Sequence, residues 1–279
     1  MFKTKPLRAG KVSIGGKRPV FILGPCVIES EKLVWRIAKK IAEACGSENV
    51  DFIFKASYDK ANRTSVRSFR GTSVREGCDI LADIGRELKI PVTTDVHSTA
   101  EAEIVGKKID MLQIPAFLCR QTDLLRAAAQ TGRAINVKKG QFLAPWDVRN
   151  IAEKLIAFRN SQFCFTERGT TFGYNNLVAD MRSLYWMRDA GYRVIFDATH
   201  SVQRPGGAGD STSGDGKLAP VLARAAMAAG CDGIFMEVHE SPARALSDGP
   251  NQVRLNDLPK HVRMLKAIHA VVSGRGERF

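Results

Sequence analysis

Eight short runs of apolar and β-branched residues recur along the chain, each followed by a stretch of different periodicity, and this repetition constrains the fold more than any other feature. The runs are residues 19–24, 50–55, 90–95, 109–114, 134–138, 163–167, 192–198 and 231–237. After the first, Leu33, Ile37, Ile41 and Ala44 share one helical face, and the alanine-rich segment 218–229 has the same character. Near-continuous apolar strands alternating with helices predict a parallel sheet covered by helices. Eight such units predict one closed (β/α)8 barrel of TIM type, within the α/β class. The competing architecture is an open doubly wound sheet, but no GxGxxG follows the first strand. A length of 279 residues suits one barrel, so residues 1–279 are expected to form a single domain. Residues 1–18 read as an N-terminal hairpin extension turning at Gly15-Gly16, and residues 274–279 as a polar tail.

No segment approaches the ~18 apolar residues of a membrane span, and the basic N-terminus lacks the apolar core of a signal peptide. A cytoplasmic protein is expected. The six cysteines, at positions 26, 45, 78, 119, 164 and 231, form no CxxC pair and lie mostly in or beside apolar runs, which predicts reduced, buried thiols. The formal net charge is +13, yet the cations form no single basic run and no helix-turn-helix, RRM or zinc-finger pattern appears. Anionic small molecules are therefore the expected partners, rather than nucleic acid or membrane.

The polar residues fall at the ends of the strands, where a barrel collects its chemistry. In chain order these are Cys26, Lys55, Asp95, Gln113, Lys138, Glu167 with Arg168, His200, and Glu237 with His239. Lys55, Lys60, Lys138 and Arg168 put four cations around one mouth, with Arg63 and Arg120 on adjoining loops, and such a cluster calls for a multiply charged anion. Structural pairing of these cations with Asp95, Glu167 and Glu29 is the alternative. Cys26, His200, Glu237 and Asp248 supply a thiol, an imidazole and two carboxylates, a mixed set suited to Zn, Fe(II), Mn or Co, although their spacing carries no local ligand pattern. The segment 201–217 is long, Gly- and Ser-rich and predicted to act as a lid, while residues 57–71 are dense in the cations and hydroxyls that bind phosphate.

In the order GPCVIES, FKASYDKANRTS, TDVHS, QIPAFLCRQTDLL, NVKKGQF, TERGTTFGYNN, FDATHSVQRPGG and FMEVHESP, these segments resemble the 3-deoxy-D-manno-octulosonate 8-phosphate synthases, specifically their metal-dependent class. The resemblance runs from about Phe21 to Leu255. It implies a tetrameric (β/α)8 barrel that condenses phosphoenolpyruvate with D-arabinose 5-phosphate and water, giving the octulosonate phosphate and phosphate for lipopolysaccharide. By resemblance, Lys55, Lys60, Lys138, Arg168 and Gln113 lie on phosphoenolpyruvate, with Lys55, Lys60, Asp95, Lys138 and His200 taken as the catalytic set. Asn62, Arg63 and Thr64 would lie along the sugar phosphate, and Ser57 and Asp95 near the sugar hydroxyls or reacting carbons. Thr64 stands where many relatives have serine. Phe117 and Arg120 fall where the family meets a neighbouring subunit. Relatives with asparagine in place of Cys26 work without metal. The thiol here, with His200, Glu237 and Asp248, implies one divalent transition metal per chain and no organic cofactor.

Three other activities fit parts of this pattern. A lysine among cations can have a lowered pKa and form an imine, as in a Schiff-base aldolase. The related 3-deoxy-D-arabino-heptulosonate 7-phosphate synthases, which use erythrose 4-phosphate, share GPC and the ligand residues but usually carry a Lys-Pro-Arg-Thr loop where this chain has Ala61-Asn62-Arg63-Thr64. A non-catalytic anion-binding barrel would also suit the positive charge.

Overall fold

The computed structural model describes residues 6–63, 65–206 and 213–274. All eight expected strands form: β1 (Val20–Gly24), β2 (Asp51–Lys55), β3 (Val92–Asp95), β4 (Met111–Ile114), β5 (Ala134–Lys138), β6 (Phe163–Glu167), β7 (Val194–Asp197) and β8 (Gly233–His239). Each is parallel to its neighbours, and β8 pairs with both β7 and β1, which closes the barrel. The helices that follow are α1 (Glu31–Ser47), α2 (Val74–Leu88), α3 (Thr99–Gly106), α4 (Thr122–Gln130), α5 (Val148–Ala157), α6 (Arg182–Asp189), α7 (Ala219–Ala228) and α8 (Leu258–Ser273). Serine side chains cap α1, α2 and α3: Ser30, Ser73 and Ser98 each accept from the backbone N–H three residues on.

Strand alternation sorts the residues into two compartments. Phe21, Phe52, Phe54, Leu112, Ile135, Phe165 and Phe196 point outward into the large core shared with the helices. The alternate residues Val20, Ile22, Ile53, Met111, Ala134, Cys164, Ile195 and Phe235 form a second, smaller cluster inside the barrel. That cluster is completed by Leu7, Ala9, Val12 and Ile14 of an antiparallel hairpin, in which Leu7–Ala9 pairs with Val12–Ile14. The hairpin extension is therefore present, but it turns at Gly10-Lys11, where Gly10 has φ +54°, and not at Gly15-Gly16. Gly15-Gly16 instead leads from the hairpin toward β1. With the lower interior filled by apolar groups, the next inward position on each strand is the one that can carry chemistry.

The six cysteines are all buried and free. No helix among the described residues is long and apolar enough to cross a membrane. Residues 275–279 of the polar tail, Thr64, and residues 207–212 at the centre of the expected lid lie outside the described residues.

Candidate active site

Two residues beyond the apolar layer, the inward positions become polar: Ile53 gives way to Lys55, Met111 to Gln113, Ala134 to Asn136 and Lys138, Cys164 to Thr166 and Arg168, Ile195 to Asp197, and Phe235 to Glu237. Of these, Lys55, Gln113, Lys138 and Arg168 line a cleft of about 490 Å³, together with Cys26, Lys60, Asn62, Arg63, Asp95, His97, Phe117, His200, Gln203 and Asp248. Gly24, just before Cys26, permits close approach of β1 and β2, because a Cβ there would fall 1.8 Å from the Lys55 carbonyl oxygen.

One continuous hydrogen-bonded chain crosses the floor. Thr166 Oγ1 donates to Asn136 Oδ1 at 2.7 Å, Asn136 Nδ2 to Gln113 Oε1 at 3.0 Å, and Gln113 Nε2 to Asp95 Oδ1 at 2.6 Å. Ser57 Oγ donates to the other oxygen of Asp95. Lys55 Nζ then donates to Ser57 Oγ at 2.9 Å and to the Cys26 carbonyl at 3.2 Å, and lies 3.3 Å from Glu237 Oε1 and 3.6 Å from Asp95 Oδ2. Burial opposes ionisation of Asp95, but Lys55 and Lys60 hold its carboxyl well below the usual range. An alternating chain of this kind fixes each amide's orientation, since Gln113 can present its nitrogen to Asp95 only while its oxygen faces Asn136.

A second network surrounds the candidate metal ligands. His200 Nδ1 is 2.7 Å from Asp197 Oδ2, which also receives Lys138 Nζ. His200 Nε2 then faces Glu237 Oε1 at 3.5 Å and Asp248 Oδ2 at 3.7 Å. Burial opposes the Asp197 anion, yet His200 and Lys138 keep it well below the usual carboxylate range, and Glu237 is likewise held at about 2 by His200, Lys60 and Lys55 against its burial. Lys138 also lies 3.4 Å from the centroid of the Phe235 ring, a cation–π contact.

The ligand atoms of His200, Glu237 and Asp248 all lie within 4.8 Å of one another. Three observations fit a divalent cation. A carboxylate orients the imidazole through Nδ1 and leaves Nε2 for a ligand. Glu237 Oε2 is buried without a hydrogen-bond partner. Asp248 adopts φ +53°, unusual outside glycine, and Asn251 Nδ2 bonds its carboxylate at 3.0 Å. Cys26 lines the same cleft but is not one of the three converging groups; its Sγ is 2.8 Å from Ser247 Oγ. Burial, with Glu237 and Asp248 nearby, pushes its thiol up to about 12. Lys60 Nζ is 3.7 Å from Glu237 Oε1. Burial pulls the Lys60 ammonium down, but Cys26, Glu237 and Asp95 outweigh it and raise its pKa.

The cations divide into two groups. Lys55, Lys60 and Lys138 each lie against a carboxylate, as the pairing alternative expected, although Glu237 and Asp197 are their main partners. Arg168 Nη1 and Arg63 Nη2 are buried with no hydrogen-bond partner. Arg63 Nε donates to the Phe69 carbonyl at 2.9 Å, which holds the guanidinium from its loop side.

Some residues read as converging stand elsewhere. Glu167 points out of the barrel and pairs with buried Lys139 at 3.5 Å. His239 lies 3.5 Å from Glu29. Arg120 is exposed and does not line the cleft, whereas Phe117 lines it while remaining 55% exposed. Thr64 lies outside the described residues. Asp197, Gln203, Asn136 and His97 join the site without having been singled out in the sequence. The first two lie inside FDATHSVQ, and the period-two register from Ile195 marks Asp197 as inward.

Residues 3–273 match the model of the DAHP synthetase I family. The chain is 56% identical over 271 residues to the 2-dehydro-3-deoxyphosphooctonate aldolase of Citrifermentans bemidjiense, covering 97% of this chain and 99% of that protein. It is 57% identical over 270 residues to the protein of the same name from Pelobacter propionicus, covering 96% and 99%. The corresponding figures for Geobacter sulfurreducens are 54% over 270 residues, 96% and 99%.

Proposed function

The chain belongs to the DAHP synthetase I family, and from that premise we propose that it condenses phosphoenolpyruvate with D-arabinose 5-phosphate and water to give 3-deoxy-D-manno-octulosonate 8-phosphate and phosphate. The observation that carries the reading is the pair of buried, unpartnered guanidinium nitrogens on Arg63 and Arg168, two residues lining one cleft. A buried guanidinium nitrogen without a hydrogen-bond partner is costly, so each calls for an acceptor, and the reaction brings two phosphorylated substrates together. Disappearance of phosphoenolpyruvate on addition of arabinose 5-phosphate, with octulosonate phosphate as the product, is the test.

Phosphoenolpyruvate is a weak enol nucleophile whose two anionic groups must be held beside the aldehyde. Arg168, Lys138, Lys60 and Lys55 supply the charge, and Gln113 is locked by Asn136 and Asp95 into one amide orientation. Asn62, Arg63 and Thr64 receive the sugar phosphate. Ser57 and Asp95, already hydrogen-bonded to each other, face the hydroxyls or reacting carbons. Carbon 3 attacks the aldehyde carbon, water adds at carbon 2, and phosphate leaves by carbon–oxygen cleavage. The Lys60 ammonium, its pKa raised, is suited to donate a hydrogen bond to the aldehyde oxygen as negative charge develops there.

His200, Glu237 and Asp248, joined by Cys26, are the residues that would hold one divalent transition metal: Zn, Fe(II), Mn or Co. When bound, the ion supplies positive charge that orients the surrounding groups. The heptulosonate-phosphate activity is the second reading, since the family model carries that name. Asn62 in the cleft favours the longer sugar, because an amide can both donate to and accept from an additional hydroxyl.

Assembly as a homotetramer is supported by exposed aromatics on neighbouring loops, Phe117, Phe142, Trp146, Phe172 and Tyr174. Two of these loops are tied together where Thr171 N–H donates to the Gln141 carbonyl at 3.0 Å. Phe117 and Arg120 would then meet a second subunit. Six buried free thiols suit the reducing cytoplasm, where the product would enter lipopolysaccharide synthesis.

A further inference from the structure

Asp248 is gripped by the stem of the loop that follows β7. In that stem Gln203 faces Gly214 and Arg204 faces Ser213 in an antiparallel pair, closed by an Arg204–Asp215 ion pair of 2.7 Å. From it, Gln203 Nε2 donates to Asp248 Oδ2 at 2.8 Å, while Gln203 Oε1 accepts from Arg168 Nη2 at 2.5 Å. The other oxygen of Asp248 accepts from Asn251 Nδ2 at 3.0 Å. Asn251 in turn lies against the stem: a Cβ on Gly214 would come within 1.8 Å of Asn251 Oδ1. One oxygen of Asp248 thus meets a group carried by the two-stranded stem, and the other meets a group packed against it.

An amide has one accepting end and one donating end, so Gln203 has no freedom to invert. Its oxygen suits only the guanidinium and its nitrogen only the carboxylate. Held in this way, Arg168 keeps Nη1 unpartnered, and Asp248 Oδ2 stays 3.7 Å from His200 Nε2. We infer that Gln203 is a positioning residue that couples the anion-binding and metal-binding halves of the site, so that phosphoenolpyruvate and the metal bind cooperatively. An anion on Arg168 fixes the guanidinium, the guanidinium fixes the amide, and the amide fixes the carboxylate. Gln203 acts through Arg168 and Asp248, and the inference rests on the reading of the site proposed above.

Linkage makes the effect reciprocal: the factor by which phosphoenolpyruvate tightens metal binding equals the factor by which metal tightens phosphoenolpyruvate binding. Attraction between cation and anion contributes part of that factor and survives removal of the amide. The part transmitted by Gln203 does not.

The test is calorimetric titration of the metal-free full chain with Mn2+, with and without phosphoenolpyruvate, and the reverse pair of titrations, for wild type and Gln203→Leu. Leucine approximates the shape and removes both hydrogen bonds. Wild type is expected to show a coupling factor in the range of about 5–150 typical of linked sites, and Gln203→Leu a factor at least about fivefold smaller. Because the factor is a ratio of affinities measured on the same protein, a general weakening of metal binding cancels. An unchanged factor in Gln203→Leu overturns the inference, as does a wild type without coupling or without Mn2+ binding. Phosphate release by wild type with arabinose 5-phosphate tests the activity separately. Turnover with a coupling factor indifferent to Gln203 removes the inference alone, and phosphoenolpyruvate binding without turnover removes the proposed activity alone.

Discussion

His200 and Lys138 share one buried acid: Asp197 Oδ2 lies 2.7 Å from His200 Nδ1 and also accepts from Lys138 Nζ. A single carboxylate therefore orients a candidate metal ligand and neutralises a candidate substrate-binding cation. Its other oxygen accepts from the His200 backbone N–H at 2.9 Å and from Thr199, so both oxygens of the acid are held by hydrogen bonds.

Asp197→Asn keeps the shape but cannot hold the same imidazole tautomer or balance Lys138. Metal affinity is expected to fall about 10–100-fold, the usual effect of removing a partner behind a ligand. Loss of one member of a buried ion pair is also expected to lower stability, by about 3–5 kcal/mol. Metal titration and denaturant unfolding read the two effects, and a variant with wild-type metal affinity contradicts the orienting role.

Arg63→Ala should weaken arabinose 5-phosphate far more than phosphoenolpyruvate, because a charge-assisted hydrogen bond contributes about 1.5–3 kcal/mol, roughly 10–150-fold in affinity. Calorimetric dissociation constants for both substrates decide it. Equal losses, or none, exclude Arg63 from the sugar-phosphate site.

Cys26 gives a prediction with a definite pH sign. Burial and the adjacent Glu237 and Asp248 hold the metal-free thiol up at about 12, so at neutral pH it is protonated. A thiolate ligand must lose that proton, so metal binding should release about one proton and tighten as pH rises. Calorimetry in buffers of different ionisation enthalpy counts the protons, and a count near zero for wild type would exclude a thiolate ligand. Cys26→Asn should lose metal yet retain chelator-resistant turnover, while Cys26→Ala loses both. Full metal occupancy in Cys26→Ala excludes the cysteine as a ligand.

Most of the barrel was legible because strand and helix periodicities differ and the eight runs were well separated. The hairpin turn was misplaced because Gly15-Gly16 is the stronger local turn signal, whereas Gly10-Lys11 is selected by packing Leu7 and Ile14 into the barrel's lower interior. The site was legible as a set of strand ends, but which of two adjacent polar residues faces inward is a matter of register. Lys138 faces the cleft and Lys139 does not; Arg168 does and Glu167 does not, and the two excluded residues pair with each other. Gln203 and Asp197 were hidden for another reason. Their roles depend on what they hold, and those partners are distant in the sequence.

The most direct measurement is the initial rate of phosphate release from phosphoenolpyruvate with arabinose 5-phosphate, set against erythrose 4-phosphate, using metal-reconstituted protein. The account predicts rapid release and octulosonate phosphate with the five-carbon sugar, and a much lower kcat/KM with the four-carbon sugar. Preference for erythrose 4-phosphate, or binding of phosphoenolpyruvate without phosphate release in the presence of either sugar, would contradict it.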